Sequence, residues 1–132
     1  MYYGLVVNSP GDTSKSILVI DDDALFAKVL AQLLERCGYR VSVASDGTEG
    51  IARFREETPD LVITDLILPG KDGLATMAEL QQEFGDLKFI AVSGGDLNAL
   101  PLARRLGARH TFLKPFDTEE LLETIEEELK TP

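Results

Sequence analysis

The fold is decided by the stretch DLVITDLILPGKDG, which occupies positions 60–73. Its first six residues, DLVITD (60–65), form a short apolar run of the kind that a β-strand buried on both faces requires. From Leu74 onward, apolar residues recur at the spacing of a helix that faces a core. The stretch therefore predicts a buried strand, a loop and a helix, with Asp65 at the point where the strand ends.

The same strand–helix pattern recurs on both sides of this stretch. Four further runs, either apolar or alternating, are each followed by apolar residues at helical spacing. Five such units predict a parallel sheet with helices on both faces, because each crossover connection must be right-handed. We predict an α/β fold of the flavodoxin-like (βα)5 type, a doubly wound five-stranded parallel sheet with strand order 2-1-3-4-5. The predicted strands are ILVID (17–21), YRVSVA (39–44), DLVITD (60–65), LKFIAVS (87–93) and RHTFLK (109–114).

Local signals mark several helix ends. Gly38 suits the C-terminus of the first helix, since glycine readily adopts the left-handed conformation that often ends a helix. Asp46 with Glu49, and Asp117 with Glu120, have the three-residue spacing of a capping box. These pairs predict where the second and fifth helices begin.

Residues 1–16 differ in composition from the rest of the chain. The segment NSPGDTSKS (8–16) consists of turn formers and small polar residues. We predict that residues 1–16 are a flexible leader or a remnant of expression, and that residues 17–130 form a single domain.

Composition limits the classes of function. The 132 residues suffice for one domain with a real core, and 44% of them are hydrophobic. The single cysteine excludes an internal disulfide and favours a reducing, cytoplasmic location. A net charge of −10 argues against direct binding of nucleic acid or an anionic membrane, and suits protein partners or cations. No apolar run approaches the roughly 20 residues that a membrane-spanning helix requires.

Polar residues stand at the ends of four of the predicted strands. The first strand ends in three aspartates at 21–23, the third in Asp65, the fourth in Ser93 and the fifth in Lys114. In a sheet of this type, ligands bind beyond the carboxyl ends of the strands. We therefore expect carboxylates, a hydroxyl and an ammonium to converge at one edge of the sheet.

These residue types suit phosphoryl transfer. Crowded carboxylates repel one another unless a cation intervenes, and Mg²⁺ prefers such oxygen ligands. An aspartate can act as the nucleophile and form an aspartyl-phosphate. A lysine and a hydroxyl would then stabilise the phosphoryl oxygens.

Each residue also has a simpler interpretation when it is taken alone. Asp22 or Asp23 could merely cap the first helix, and Asp65 could be a turn former at a strand end. Ser93 could be a turn residue, and Lys114 a solvated charge. The joint pattern favours a functional site, since each residue sits at the matching end of its own strand.

The sequence resembles the receiver domain of two-component response regulators. The resemblance runs from about Ile17 to Leu129 and is carried by ILVIDDD, DLVITDLILPGKDG, FIAVSGG and HTFLKPF. It implies a signalling domain rather than an enzyme. Such a domain assists only its own phosphorylation and dephosphorylation. It also implies a phosphoryl donor, the phosphohistidine of a histidine kinase or a histidine phosphotransfer protein.

The resemblance assigns a phosphoacceptor and a metal site. Asp65 corresponds to the aspartate that accepts the phosphoryl group. Asp21 and Asp22 correspond to the acidic pair that holds a divalent cation, Mg²⁺ or alternatively Mn²⁺. Asp65 and the backbone carbonyl of Ile67 complete the implied set of protein ligands.

The resemblance also assigns the switch. Ser93 corresponds to the Ser/Thr that bonds the phosphoryl group and moves on activation, and Lys114 to the lysine that pairs with its oxygens. The Lys114–Pro115 peptide bond corresponds to one that is cis in the family. The family often has Tyr or Phe three residues before the lysine, whereas this chain has Thr111 as its possible switch position. Strand alternation points Phe112 to the opposite face.

Two further expectations concern signal output and lifetime. The fourth helix, fifth strand and fifth helix are the expected surface for a downstream protein target. The basic residues Arg104, Arg105 and Arg109 there either suit an acidic partner or are ordinary exposed arginines. Ile67 and Gly95 lie two residues after Asp65 and Ser93, where neither can orient a water molecule, so slow hydrolysis of the phosphorylated form is expected.

Three alternatives fit parts of the pattern. A pseudo-receiver, a binding module that has lost phosphorylation, normally lacks the acceptor aspartate, an acidic residue or the lysine, all of which are present here. An aspartyl-phosphate phosphatase of the haloacid-dehalogenase type needs a second aspartate where this chain has Ile67. A nucleotide-binding flavodoxin-like protein is the weakest alternative, because SDGTEG (45–50) is better interpreted as a helix cap and no GxGxxG or Walker sequence is present.

Overall fold

Five strands alternate with five helices along the chain. The computed structural model describes residues 14–68, 70–95 and 98–130. No helix among these residues combines the length and the apolar character needed to cross a membrane. The strands are β1 (Ser16–Ile20), β2 (Arg40–Ala44), β3 (Leu61–Asp65), β4 (Phe89–Ser93) and β5 (Ala108–Leu113). The helices are α1 (Ala24–Arg36), α2 (Gly47–Glu57), α3 (Gly73–Phe84), α4 (Ala99–Arg105) and α5 (Thr118–Lys130).

The strands form one parallel sheet in the order β2-β1-β3-β4-β5, which confirms the predicted topology. β3 lies in the middle and pairs with β1 on one side and with β4 on the other. Asp65, the last residue of β3, is in register with Val92 of β4. Because all five strands run the same way, their carboxyl ends meet at a single edge of the sheet.

The sheet separates two hydrophobic cores. Successive residues of a strand point to opposite faces, so Leu18 and Ile20 of β1 join one core while Ile17 and Val19 join the other. All four are fully buried, which explains why β1 is an uninterrupted apolar run. Helices α2, α3 and α4 cover the first core, and α1 and α5 cover the second. Buried helical residues of the first core include Ile51, Phe54, Met77, Leu80 and Ala103, and those of the second include Leu30, Leu34, Leu121 and Ile125.

Aspartates cap the first three helices. The Asp23 side chain accepts the amide of Phe26 at the start of α1, and that of Asp72 accepts the amide of Ala75 at the start of α3. These bonds satisfy amide groups that a helix leaves without an intrahelical partner. The simpler interpretation, in which Asp22 or Asp23 caps the first helix, is therefore confirmed for Asp23.

The predicted capping boxes differ in detail from their expected geometry. Asp46 Oδ1 accepts the amide of Glu49 at 2.8 Å, as predicted, but the Glu49 carboxylate reaches back to Ser45, one residue before the cap. At α5, Asp117 Oδ1 accepts the amide of Glu119, two residues on instead of three. Aspartate has a short side chain that readily closes the smaller ring, so spacing alone does not distinguish the two arrangements.

The ends of the sheet depart from the predicted boundaries. Of the predicted leader, residues 1–13 lie outside the described residues, while Ser16 is already part of β1. The Asp60 side chain accepts a hydrogen bond from the Ser16 amide at 2.8 Å. The Ser14 carbonyl accepts one from the Arg40 guanidinium at 3.0 Å. These contacts explain why strand structure extends into a polar segment. At the other edge, a register shift places Arg109 outside the pairing, because Phe89 pairs with Ala108 whereas Ile90 pairs with His110.

Candidate functional site

Three aspartates and a lysine meet at the carboxyl edge of the sheet. Asp21, Asp22 and Asp65 each place a carboxylate oxygen within 4.8 Å of the others. Lys114 Nζ donates to Asp21 Oδ2 at 2.9 Å and to Asp65 Oδ2 at 3.1 Å. Asp21 and Asp65 are buried and Asp22 is exposed. The structure thus brings together four of the residues that the sequence placed at the ends of three strands.

Each buried carboxylate is fixed by two different kinds of donor. Asp21 Oδ1 accepts the backbone amide of Asp23, and Asp65 Oδ1 accepts that of Ile67, both at 2.9 Å. The other oxygen of each carboxylate is bound to Lys114. Since both oxygens are bonded, neither side chain is free to rotate away from the site. The chain therefore presents two pre-oriented carboxylates at the edge of the sheet.

The first residue of α3, Gly73, packs directly on the backbone of Asp65. A Cβ atom on Gly73 would lie 2.2 Å from the Asp65 carbonyl oxygen and 2.7 Å from Leu66 Cα, so only glycine fits there. The Gly73 amide also donates to the Leu66 carbonyl at 3.1 Å. The buried Thr64 hydroxyl donates to the Asp65 carbonyl at 2.9 Å. These contacts fix the main chain at Asp65 from both sides.

The charges at this edge shift the protonation of two groups. Burial alone would lower the pKa of the Lys114 ammonium, but its hydrogen bonds to Asp21 and Asp65 and the charges of these carboxylates raise that pKa above its ordinary value. Burial raises the pKa of the Asp21 carboxyl, although the bonds from Lys114 and the Asp23 amide act in the opposite direction. The bonds between Lys114 and the two carboxylates therefore favour the charged lysine. They do not fully offset the effect of burial, which raises the pKa of Asp21.

The donor set suits a hard divalent cation. Three carboxylates with oxygens within 4.8 Å offer the all-oxygen environment that Mg²⁺ prefers, and the exposed Asp22 leaves one side of the group open to solvent. A bound cation would also lower the pKa of Asp21, which burial holds above its usual value. The residues present therefore fit the cation that the sequence implies.

Ser93 stands beside this group. It ends β4, is fully buried, and lies one residue beyond Val92, the register partner of Asp65. The Ser93 carbonyl accepts the backbone amide of Lys114 at 2.8 Å. The peptide bond between Lys114 and Pro115 is cis, the conformation that the resemblance implies.

Thr111 lies on the face of β5 that is turned towards α4. Its hydroxyl accepts a hydrogen bond from Arg104 Nε of α4 at 3.3 Å, whereas Phe112 is buried in the opposite core, as alternation predicts. The two residues border an open cavity of about 420 Å³ beside β5 and α5. Arg109 differs from Arg104, because it pairs with Glu128 at 3.3 Å and with Asp86 at 3.5 Å.

Sequence reasoning missed the aromatic neighbour of the lysine. Lys114 Nζ lies over the ring of Phe26, 4.3 Å from its centroid. The helical spacing of α1 indicates only that Phe26 faces inward. A stronger signal is that Phe26 stands in the first turn of a helix that directly follows the aspartates at 21–23.

Comparison with known proteins points to one family. The model of the response regulator receiver domain matches residues 17–126. The probable transcriptional regulator ycf27 of Guillardia theta is 35% identical over 111 residues, which are 83% of this chain and 43% of that protein. The chain therefore spans less than half the length of this relative.

Solved structures agree with the family match. A CheY-like response regulator receiver domain protein from Methanospirillum hungatei JF-1 has a TM-score of 0.84 and 31% identity, over 89% of this chain and 95% of that chain. A response regulator receiver domain protein from Clostridium thermocellum has a TM-score of 0.83 and 33% identity, over 88% and 94%. The receiver domain of NtrX from Brucella abortus has a TM-score of 0.82 and 31% identity, over 88% and 99%.

Proposed function

This chain belongs to the response regulator receiver domain family, and we propose on that basis that Asp65 accepts a phosphoryl group from a phosphohistidine of a partner protein. The observation that supports this most directly is the placement of Lys114, whose ammonium donates to both Asp21 and Asp65. A cation bonded to the acceptor carboxylate is already where the oxygens of an incoming phosphoryl group need it.

The divalent cation belongs to the same proposal. Asp21, Asp22 and Asp65, with the backbone carbonyl of Ile67, would hold Mg²⁺ or alternatively Mn²⁺. When bound, the ion would neutralise charge on the carboxylates and on the oxygens of the phosphoryl group.

The transfer itself makes one bond and breaks one. An oxygen of Asp65 forms a bond to phosphorus while the phosphorus–nitrogen bond to the donor imidazole breaks, and the imidazole leaves with that electron pair. Lys114 gives up its hydrogen bond to the attacking carboxylate and binds the phosphoryl oxygens instead. Asp21 keeps hold of the ammonium during this exchange, because its Oδ2 remains a partner.

Signal output would follow from Ser93. Its hydroxyl would bond the new phosphoryl oxygens and shift the loop between β4 and α4, which changes the surface formed by α4, β5 and α5. Thr111 is the candidate switch position on that surface, where its hydroxyl accepts a hydrogen bond from Arg104 of α4. Arg104 and Arg105 remain candidates for an acidic protein target. Arg109 forms ion pairs with Asp86 and Glu128 of its own domain. These pairs support the interpretation of Arg109 as an ordinary exposed arginine rather than a contact for an acidic partner.

The family is one of signalling domains, and we propose that this chain assists only its own phosphorylation and dephosphorylation. A histidine kinase or a histidine phosphotransfer protein is the proposed donor. The net charge of −10 supports protein partners over direct contact with nucleic acid or membranes. A cytoplasmic location suits the single cysteine, Cys37, which is a free thiol.

We expect the wild-type chain to gain the mass of one phosphoryl group when it is incubated with phosphoramidate and Mg²⁺. The small donor replaces the phosphohistidine, so no cognate kinase is needed. Intact-protein mass spectrometry measures the gain, and excess chelator should prevent it because the three carboxylates then lack their counter-ion. A chain that gains no phosphate under these conditions is a pseudo-receiver, and the proposed function would be wrong. Steady turnover of a generic phosphate ester would instead indicate the phosphatase alternative.

We also expect the phosphorylated form to hydrolyse slowly, with a half-life of minutes or longer. The Ile67 side chain is apolar and half exposed, and at Gly95 no described residue other than its chain neighbours lies within 4 Å of the position that a Cβ atom would take. Neither residue can hold a water molecule in line with phosphorus. Loss of the added mass over time, after removal of the donor, measures the half-life. Ile67→Asn, which introduces a hydrogen-bonding group, should shorten it, and a half-life of seconds in the wild type would contradict the prediction.

A further inference from the structure

The lysine of the site is held from a third direction by an aromatic ring. Its ammonium bonds two carboxylates, and it lies over the face of Phe26 at 4.3 Å from the ring centroid. This distance is well inside the range of a cation–π interaction. We propose that Phe26 is a positioning residue, which keeps the Lys114 ammonium between Asp21 and Asp65 and so sets the rate at which Asp65 is phosphorylated.

The position of Phe26 is tied to the acidic run before α1. Asp23 caps this helix, and its side chain accepts the amide of Phe26 itself at 3.1 Å. The backbone amide of Asp23 in turn donates to Asp21 Oδ1 at 2.9 Å. Two consecutive hydrogen bonds therefore connect the carboxylate that holds the lysine to the residue whose ring covers it.

The ring is also braced by the segment that carries the lysine. Phe26 meets Phe116 edge to face, with centroids 5.9 Å apart and an interplanar angle of 87°. Phe116 meets Phe112 at 5.6 Å and 61°. Phe112 belongs to β5, and Phe116 follows Lys114 by two residues. The three rings thus connect the first turn of α1 to both sides of Lys114, with the geometry that aromatic pairs prefer.

An aromatic ring suits the position beside the Lys114 ammonium better than a further carboxylate would. Its negative face attracts the ammonium but adds no net charge to a site that already contains three aspartates. The ring also excludes water from one side of the ammonium, whose side chain is only 22% exposed. A lysine has many rotamers, and confining it against a fixed ring lowers the entropy that its ordering costs during the reaction. A branched aliphatic side chain would fill space without attracting the cation.

Substitutions at Phe26 distinguish the effect of the aromatic ring from the effect of side-chain size. Phe26→Leu and Phe26→Met remove the ring, and Phe26→Tyr retains it. The matched control is Phe84→Leu, which removes a ring that packs on Phe54 at 4.8 Å between centroids but does not touch the lysine. One readout is the mobility of the Lys114 ammonium, given as the order parameter of its Nζ from NMR relaxation. The other is the rate constant of phosphorylation by phosphoramidate at saturating Mg²⁺.

We expect Phe26→Leu and Phe26→Met to lower the order parameter of the Lys114 ammonium, because no ring then confines it, and to slow phosphorylation about fivefold. Phe26→Tyr should keep both values, within about twofold of the wild type for the rate. Phe84→Leu should lower thermal stability and change neither readout. An unchanged order parameter of the Lys114 ammonium in both ring-less variants, a wild-type rate in them, or failure of Phe26→Tyr to preserve the rate would each overturn the inference.

The effect on rate rests on the proposed function, whereas the placement of the ammonium does not. If the wild-type chain accepts no phosphate, the proposed function fails, and the NMR comparison alone decides whether Phe26 positions Lys114. A lower order parameter of the Lys114 ammonium in the ring-less variants and a wild-type value in Phe26→Tyr would then still support the positioning role.

Discussion

Asp65→Asn is expected to abolish phosphorylation by phosphoramidate and Mg²⁺ while the domain remains folded. A carboxamide does not attack phosphorus to give an acyl phosphate, so the variant lacks the nucleophile. It keeps an oxygen that can accept the Ile67 amide, the bond that orients the side chain in the wild type. Intact-protein mass spectrometry should therefore show no added phosphate, and far-ultraviolet circular dichroism should show the wild-type spectrum.

The matched control for this change is Asp86→Asn. Asp86 lies away from the site, its side chain is 85% exposed, and its contact with Arg109 is long, at 3.5 Å. This variant should gain one phosphate at the wild-type rate. Phosphate on the Asp65→Asn variant would contradict the assignment, and peptide mapping would then show whether Asp21 or Asp22 is the acceptor.

Lys114→Met is expected to slow phosphorylation by about 100-fold, because one of the groups that stabilise the transferring phosphoryl group is lost. It should also lower the free energy of unfolding by about 3 kcal/mol in the absence of divalent cations, since the carboxylates of Asp21 and Asp65 lose their shared counter-ion while 3% and 9% exposed. Single-turnover mass spectrometry measures the rate, and urea denaturation in excess chelator measures the stability. A variant as stable as the wild type in chelator would contradict this prediction.

The pH dependence of this loss follows from the sign of the shift at Asp21. Its pKa in the folded wild type is raised above the ordinary value of 3.8, chiefly by burial. A carboxyl with a raised pKa contributes stability when it is protonated, and that contribution disappears as the pH rises through the folded-state pKa. Without Lys114 the shift should increase. Lys114→Met should therefore recover part of its lost stability as the pH falls from neutral towards 4, relative to the wild type measured in the same buffers. A constant difference between the two proteins over this range would argue against an ionised Asp21 as the cause.

The predictions from sequence were correct where the signal was local. The apolar runs predicted over 17–21 and 60–65 coincide to within one residue with β1 (Ser16–Ile20) and β3 (Leu61–Asp65), because a strand buried on both faces is mostly apolar. The strand order is that of the flavodoxin-like arrangement, in which four right-handed crossovers join the five strands. Asp21, Asp65 and Lys114 could be placed together before any distance was known, because the carboxyl ends of parallel strands meet at one edge.

The predictions were incomplete where contacts depend on distance across the fold. Phe26 contacts Lys114, the residue after β5, through space, and helical spacing carries no information on such a partner. The strand boundary at Ser16 depends on Asp60, which is 44 residues away in sequence. Arg109 has intramolecular acidic partners that its exposed, basic character does not reveal. A charged residue close to a predicted interaction surface can equally well bind its own domain.

The separation in sequence of the lysine from its two carboxylates has a consequence for biosynthesis. Lys114 lies 93 residues after Asp21 and 49 after Asp65, and it follows the last strand of the sheet. A nascent chain emerges from the ribosome with its N-terminal strands first. Until β5 has emerged and docked against β4, Asp21 and Asp65 lack the ammonium of Lys114 that bonds them in the folded domain. The cluster of Asp21, Asp65 and Lys114 is therefore completed only with the sheet itself, so a half-synthesised domain lacks this arrangement of charges.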